Sequence, residues 1–421
     1  MHASTIRAIG LSIVITGGES MSPSRVHNFV PVNPHSPGRL SLYVVEVTQQ
    51  CNFRCRYCCF SGEYNERRVH NQAVMDDATA DATVRFILTT NCPDRDVRVT
   101  FYGGEALLAL GVVKSMVARL YEALKDRVEF AISTNGLLLE RDVVDWICSY
   151  PRFNVYVSID SYRELHDSNR ITVAGSKTFD RIIANLERFS RTHHERYMQC
   201  VFFLVTLASW QELPEASRRW NESEVLRHRP PMHLSFVMPR NVDDVKAMSG
   251  SIGQRKMVLD IALSQYEVGL DNLLTSKFKE WTDIVRRDSQ AAVSDDTMTV
   301  TTCVEDFYRT FVSSEGDIYI CERFAKHFTI GSVYDGIIPD APEKIEKSFI
   351  EFRNNRCRQC EVAEICSKCM TVLNYDGDSD MLDALCELER KTISLIAEYA
   401  WKRRQADRRR QLAQLNREQR L

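Results

Sequence analysis

The chain has 421 residues, enough for two or three domains or one enlarged barrel with an ample core. Hydrophobic residues make up 44% and charged residues 26%, as in an ordinary globular protein, and a net charge of −3 gives no overall pull toward nucleic acid or membrane. No apolar run reaches transmembrane length, and fourteen cysteines grouped at metal-ligand spacings argue for a reducing, cytoplasmic setting over a disulfide scaffold.

Residues 1–39 are rich in Pro, Ser and Asn and read as an irregular segment. Within it, 8–15 is similar to a signal-peptide core, but only Arg7 precedes it and no clear cleavage site follows; Met21 is an alternative start. Dense β-branched and aromatic residues predict a strand over 40–48, with further strands over 97–101, 128–132, 155–159, 199–205 and 233–237. Helices are predicted over 76–90, 108–124, 140–149, 178–191 and 251–269. Strands separated by helices of this length imply parallel βαβ units, and six of them make a barrel or an open three-quarter barrel. Active-site loops then stand at the carboxyl ends of the strands. From Cys303 to Cys386 the composition turns to cysteine clusters and turns, and a last helix begins near Asp383. No internal repeat is visible.

Chemistry starts at the first strand's end, where Cys51, Cys55 and Cys58 stand in C-x3-C-x2-C spacing with Tyr57 before the last. Three close thiolates can hold three irons of a [4Fe-4S] cluster and leave the fourth open for chemistry. Zinc sites usually complete four ligands from paired cysteines, and no second pair lies nearby. A catalytic thiol would need a partner base instead.

This loop resembles the signature of the radical S-adenosylmethionine (radical SAM) enzymes. The resemblance implies that the open iron binds the methionine amino and carboxylate groups of S-adenosylmethionine. It further implies that reduction yields a 5'-deoxyadenosyl radical, which takes a hydrogen from the substrate. The same family has a (β/α)6 partial barrel, so pattern and resemblance agree on an α/β fold. Gly103-Gly104-Glu105, at the end of the second strand, is similar to the family's GGE motif, with Ala106 where a proline is usual. Glycines there let backbone approach a ligand, and the carboxylate can pair with an ammonium group; alone, such a pair is more often a turn. Ser133 and Asn135 follow the third strand and can hydrogen-bond a ribose, or cap a turn. Ser158 and Asp160 end the fourth strand, and Arg170 follows; similar enzymes use such an arginine for the methionine carboxylate. Singly, Asp160 reads as a helix cap and Arg170 as a surface charge.

Seven cysteines remain downstream: Cys303, Cys321, Cys357, Cys360, Cys366, Cys369 and Cys386. They resemble the SPASM extension, which holds two auxiliary [4Fe-4S] clusters. By that resemblance Cys357, Cys360, Cys366 and Cys386 ligate one cluster. Cys303, Cys321 and Cys369 then serve the other, whose fourth ligand is unidentified. Cys366-x2-Cys369 departs from the usual spacing, and two C-x2-C pairs are also zinc-ribbon chemistry. Domain bounds follow: 1–39 irregular, 40–302 barrel, 303–386 SPASM domain, 387–421 basic helix. Glu322 stands where related sulfatase maturases carry an aspartate acting as base, and reads equally as a surface carboxylate.

Residues 58–70 are similar to the Ser-Gly-x-Tyr…Arg…His stretch of ribosomal-peptide maturases, so the resemblance implies thioether or carbon–carbon cross-linking in a precursor peptide. About forty residues precede the first strand, too few for an ordinary leader-recognition domain. A separate leader-recognition protein or binding on the barrel rim is therefore expected, with flavodoxin or ferredoxin as electron donor. No membrane or nucleic-acid partner is expected. The rivals are a sulfatase maturase making formylglycine, and a non-enzymatic metal-cluster scaffold whose residues 402–420, with eight basic and two acidic side chains, bind a partner.

Overall fold

A computed structural model describes residues 28–30, 40–64, 68–227, 229, 231–287, 297–299, 309–323, 328–363, 365–366 and 379–418. The N-terminal segment therefore lies almost wholly outside the described residues, as do Cys303 and Cys369.

Six parallel strands carry the barrel wall in chain order: β2 (Leu42–Thr48), β3 (Val97–Gly103), β4 (Val128–Thr134), β5 (Phe153–Ser158), β6 (Val201–Leu207) and β7 (His233–Phe236). Helices connect them: α1 (Asp77–Thr90), α2 (Leu110–Leu124), α3 (Arg141–Cys148), α4 (Arg163–Asn169), α5 (Phe179–Thr192), α6 (His194–Cys200) and α7 (Glu212–Glu222). The predicted α/β partial barrel is thus present. Residues 199–200 end α6 instead of starting β6, and α4, α6 and α7 were not expected.

Local chemistry explains these elements. Residues of β2 are buried on both faces, as a central parallel strand requires. Asp76 caps α1 by accepting from the Thr79 amide at 2.7 Å. Alternate buried residues of β3 to β6 and inward faces of the helices form one continuous core around Phe101, Phe130, Phe153 and Phe203.

The sheet does not stop at β2. Four short strands, β9 (Arg309–Val312), β10 (Asp317–Tyr319), β11 (Gly331–Ser332) and β12 (Gly336–Ile337), extend it to ten strands, with β9 parallel to β2. A separate parallel pair joins β1 (Asn28–Val30) to β8 (Thr297–Thr299). Helices α8 (Val242–Gly250), α9 (Ile252–Glu267) and α10 (Leu273–Arg287) follow β7, and α11 (Ala341–Arg356) precedes the late cysteines.

The final helix α12 (Ser379–Glu418) begins slightly before the predicted point and packs on α8, α9 and α10. Its basic residues serve that docking. Arg403 donates to Thr282 at 2.7 Å and Asp283 at 2.8 Å, Arg410 lies 4.6 Å from the Tyr266 ring centre, and Tyr266 donates to Asp407 at 2.6 Å. These contacts weigh against a free partner-binding arm. Among the described residues no helix is long and apolar enough to cross a membrane.

Candidate active site

The cysteine loop leaves β2 and is pinned by backbone bonds to the segment after α4. Arg54 N donates to Ile171 O at 2.8 Å, Arg56 N to Asn169 O at 2.9 Å, and Val173 N to Asn52 O at 3.0 Å. Phe53 is buried beneath, and Cys58 N turns back to Cys55 O at 3.0 Å. The three thiols thereby line one end of a cavity of about 420 Å³. Burial pushes the Cys51 thiol up to about 12 and raises Cys55 and Cys58 as well. Such thiols stay protonated until a cation binds, and a coordinating metal removes the proton outright.

Gly103 and Gly104 also line this cavity, but their backbone approach is to the loop itself. A Cβ on Gly103 would lie 2.3 Å from Thr48 O, and one on Gly104 would lie 2.2 Å from Gln50 O and 2.9 Å from Cys51 Cβ. The adjacent amides complete the seam: Gly104 N donates to Thr48 O at 3.0 Å and Glu105 N to Gln50 O at 2.8 Å.

Glu105 is buried behind the wall and does not line the cavity. Its carboxylate accepts from Thr134 Oγ1 and Asn135 N, each at 2.7 Å, and from Leu107 N at 3.1 Å. It braces the end of β3 against the end of β4. Asn135 lines the cavity while its amide donates to Asn52 Oδ1 at 2.7 Å and accepts from Leu137 N at 3.0 Å. Ser133 lines it with no side-chain partner among the described residues. Ser158 ends β5 and is not among the lining residues.

Tyr57, Asp160 and Arg170 form one buried unit. Tyr57 donates to Asp160, Arg170 donates to the Tyr57 hydroxyl at 2.9 Å, and Arg170 pairs with Asp160 at 3.9 Å. Burial pushes Asp160 up to about 6 against the opposing pull of Arg170. Asp160 sits behind the wall, while Tyr57 and Arg170 reach the cavity. Arg170 Nε is buried without a hydrogen-bond partner. An orphaned guanidinium donor on the cavity that the three thiols share fits an iron-bound ligand carrying a carboxylate.

The other side of the cavity is made by Thr206, His233, Ser235, Phe236 and Met238, from β6, β7 and the segment after them, together with Arg323. None of these was singled out from the sequence, where a strand-end serine or threonine has no distinguishing pattern. Tyr64 ties this side to the cysteine loop by donating to Met238 O at 3.2 Å. Glu322 pairs with Arg309 and is not among the lining residues; its neighbour Arg323 is.

The late cysteines meet where α11 ends and α12 begins. Cys357 caps α11, and Cys360, Cys366 and Cys386 all lie close enough to raise its thiol, although burial is the larger cause of a rise to about 11. Arg356 pairs with Asp383 across this junction. Cys321, buried just past β10, is the one member of the second set within the described residues. None of the described cysteines is in a disulfide.

Comparison with known proteins bears on the family and the fold. Residues 45–215 match the Radical SAM superfamily. A cysteine-type anaerobic sulfatase-maturating enzyme of Clostridium perfringens is 28% identical over 168 residues, covering 38% of this chain and 44% of the relative's length. The chain thus spans less than half of that relative. The radical SAM cyclopropyl synthase TigE of Paramaledivibacter caminithermalis is 21% identical over 409 residues, covering 92% and 80% of the two chains. The structure of native anSMEcpe with bound AdoMet superposes with a TM-score of 0.61 at 17% identity, covering 87% of this chain and 99% of the other, a likeness of fold. Residues 45–215 of this chain are a radical SAM domain.

Proposed function

We propose that this chain is a peptide maturase. In this reading Cys51, Cys55 and Cys58 hold a [4Fe-4S] cluster whose open iron takes S-adenosylmethionine. The bound pair supplies a 5'-deoxyadenosyl radical able to take a hydrogen atom from a substrate. The protein's part is placement. Arg170 offers its guanidinium to the methionine carboxylate, held in aim by Tyr57 and Asp160. Ser133 and Asn135 offer a hydroxyl and an amide to the ribose, with Gly103 and Gly104 letting the wall close on the loop. Glu105 is assigned to bracing, and Glu322, occupied by Arg309, is given no proton-transfer step.

The observation that carries this reading is the shared cavity. Its one end is the three thiols and Arg170, and its other is the β6–β7 side with Arg323, where a peptide segment would lie. Thioether or carbon–carbon cross-linking removes one electron more than hydrogen abstraction does. An oxidant held at Cys357, Cys360, Cys366 and Cys386, and a second at Cys303, Cys321 and Cys369, suits that demand. Both are proposed as auxiliary [4Fe-4S] clusters in a SPASM domain. A precursor peptide, a separate leader-recognition protein and a flavodoxin or ferredoxin donor are the proposed partners.

Co-expression with a short peptide encoded beside the gene tests the reading. Each cross-link lowers the peptide mass by two hydrogens, and tandem mass spectrometry locates a ring. The second reading, formylglycine formation in a sulfatase, is favoured by the relatives' names. An aldehyde that reacts with a hydrazide probe, without a ring, would replace cross-linking by it.

A further inference from the structure

We infer that His70 is a positioning residue for the cysteine loop: it donates a hydrogen bond to the Cys58 sulfur and thereby raises the reduction potential of the cluster held there. This rests on the reading that Cys51, Cys55 and Cys58 hold an iron-sulfur cluster.

The imidazole is clamped on three sides. His70 N donates to Phe60 O at 3.1 Å, just beyond Cys58 in the loop. The Phe60 ring meets the imidazole edge-on, with centres 6.1 Å apart at 76°. Nδ1 lies 3.3 Å from Gln49 O, on the residue just before the loop. Held this way, the ring sets Nε2 at 3.3 Å from Cys58 Sγ, within hydrogen-bond range for sulfur, and it lines the same cavity.

Direction follows from chemistry. A cysteine ligating iron is a thiolate, which can accept a hydrogen bond and has none to give. The contact therefore becomes N–H donating to sulfur, which puts the neutral ring's one proton on Nε2 and gives up any hydrogen bond from Nδ1 to Gln49 O. Such a bond stabilises the more negative, reduced cluster and raises its potential, since hydrogen bonds to the sulfurs are among the groups that set it. Two cations, Arg170 and Arg68, also act on the Cys58 thiol; Arg170 is engaged by Tyr57 and Asp160, and Arg68 is stacked 3.6 Å from the Phe60 ring centre. Its charge is met by buried Glu46 at 2.7 Å, so it is a weaker lever than the ring that touches the sulfur. His70 closes the Ser-Gly-x-Tyr…Arg…His stretch, but nothing in that pattern assigns its ring to the Cys58 sulfur. The fold makes the contact, by returning the chain along the loop.

Potentiometric titration followed by electron paramagnetic resonance tests it. The protein is reconstituted anaerobically, and only the signal that changes on adding S-adenosylmethionine is assigned to this cluster. His70→Phe and His70→Leu remove the donor, while His70→Gln keeps an N–H. The two donorless variants should shift the one-electron equilibrium against reduction by about tenfold, equal to about 59 mV lower. His70→Gln should stay near the wild-type midpoint. Equal midpoints in all four proteins would overturn the inference, as would a Gln variant shifted as far as Phe. Cluster loss in Phe and Leu but not in Gln supports donation to sulfur; loss in all three means that the ring packs and does not donate. A wild-type protein with no signal sensitive to S-adenosylmethionine would instead refute the underlying cluster reading.

Discussion

Cys51, Cys55 and Cys58 hang from the end of a strand buried on both faces, whereas Cys357, Cys360, Cys366 and Cys386 gather where one helix ends and another begins. The first set's loop is pinned to the barrel by backbone as well as side chains: the seam of Gly103 and Gly104 against Thr48 and Gln50, and the bonds from the loop to residues 169–173. Around the second, side chains do the joining, with Arg353 donating to Ala363 O at 2.8 Å and Arg356 paired to Asp383. A site fixed by backbone tolerates few substitutions anywhere along its seam. One assembled by helix docking depends on whatever keeps the helices together. Here that is the long contact of α12 with α8, α9 and α10.

The largest contrast between the two regions should come from Gly104→Ala. The added methyl meets Gln50 O and the Cys51 side chain, so the loop must shift. A displacement near 1 Å at a reacting centre costs about a hundredfold, so 5'-deoxyadenosine formation should fall by that much while the late cysteines keep their metal. Cys386→Ala inverts the pattern. About four irons per chain should be lost, with S-adenosylmethionine cleavage persisting. Metal analysis of the purified protein also separates iron from zinc at that site.

A smaller effect is expected from Arg403→Ala, which removes a buried guanidinium from Asp283 and Thr282. Asp283 is partly exposed, which limits the penalty to about 2 kcal/mol, read as a lower unfolding midpoint in urea. Cleavage of S-adenosylmethionine should survive in the folded variant, because α12 supports the barrel from outside.

The smallest is a slope. His166 accepts from the Asp160 amide at Nδ1, 3.3 Å away, and Nε2 lies 3.0 Å from the Thr178 hydroxyl, which itself donates to Arg170 O. Burial, and then Arg170, lower its pKa from 6.5 to about 2. The folded value lies below the unfolded one. Stability from the neutral ring is therefore complete above pH 6.5 and is lost as pH falls toward 2. Unfolding free energy should decline from pH 7 to pH 5, and more gently in His166→Gln.

Much of the barrel is legible in the sequence because most wall strands, β7 excepted, are runs rich in β-branched or aromatic residues. The misses have local causes. Pro214 disguises α7, although proline is tolerated in a helix's first turn. Strands β9 to β12 are two to four residues long, too short to show alternation, so their extension of the barrel sheet is invisible before folding. At the site, the residues singled out by the cysteine spacing, and Arg170, do line one cavity. Glu105 reads as a ligand-pairing carboxylate, yet three donors from β4 and its own turn enclose it. The contact of His70 with Cys58 depends on a chain reversal that no spacing encodes.

The central claim is that the thiols of Cys51, Cys55 and Cys58 and the cavity they share with Arg170 activate S-adenosylmethionine. Anaerobic turnover with dithionite, followed by chromatography of the products, tests it most directly. The account predicts 5'-deoxyadenosine and methionine from the iron-loaded wild-type protein, and neither from a variant with all three cysteines changed to alanine. Iron-loaded wild-type protein that leaves S-adenosylmethionine intact, or a triple variant that still cleaves it, would contradict the account.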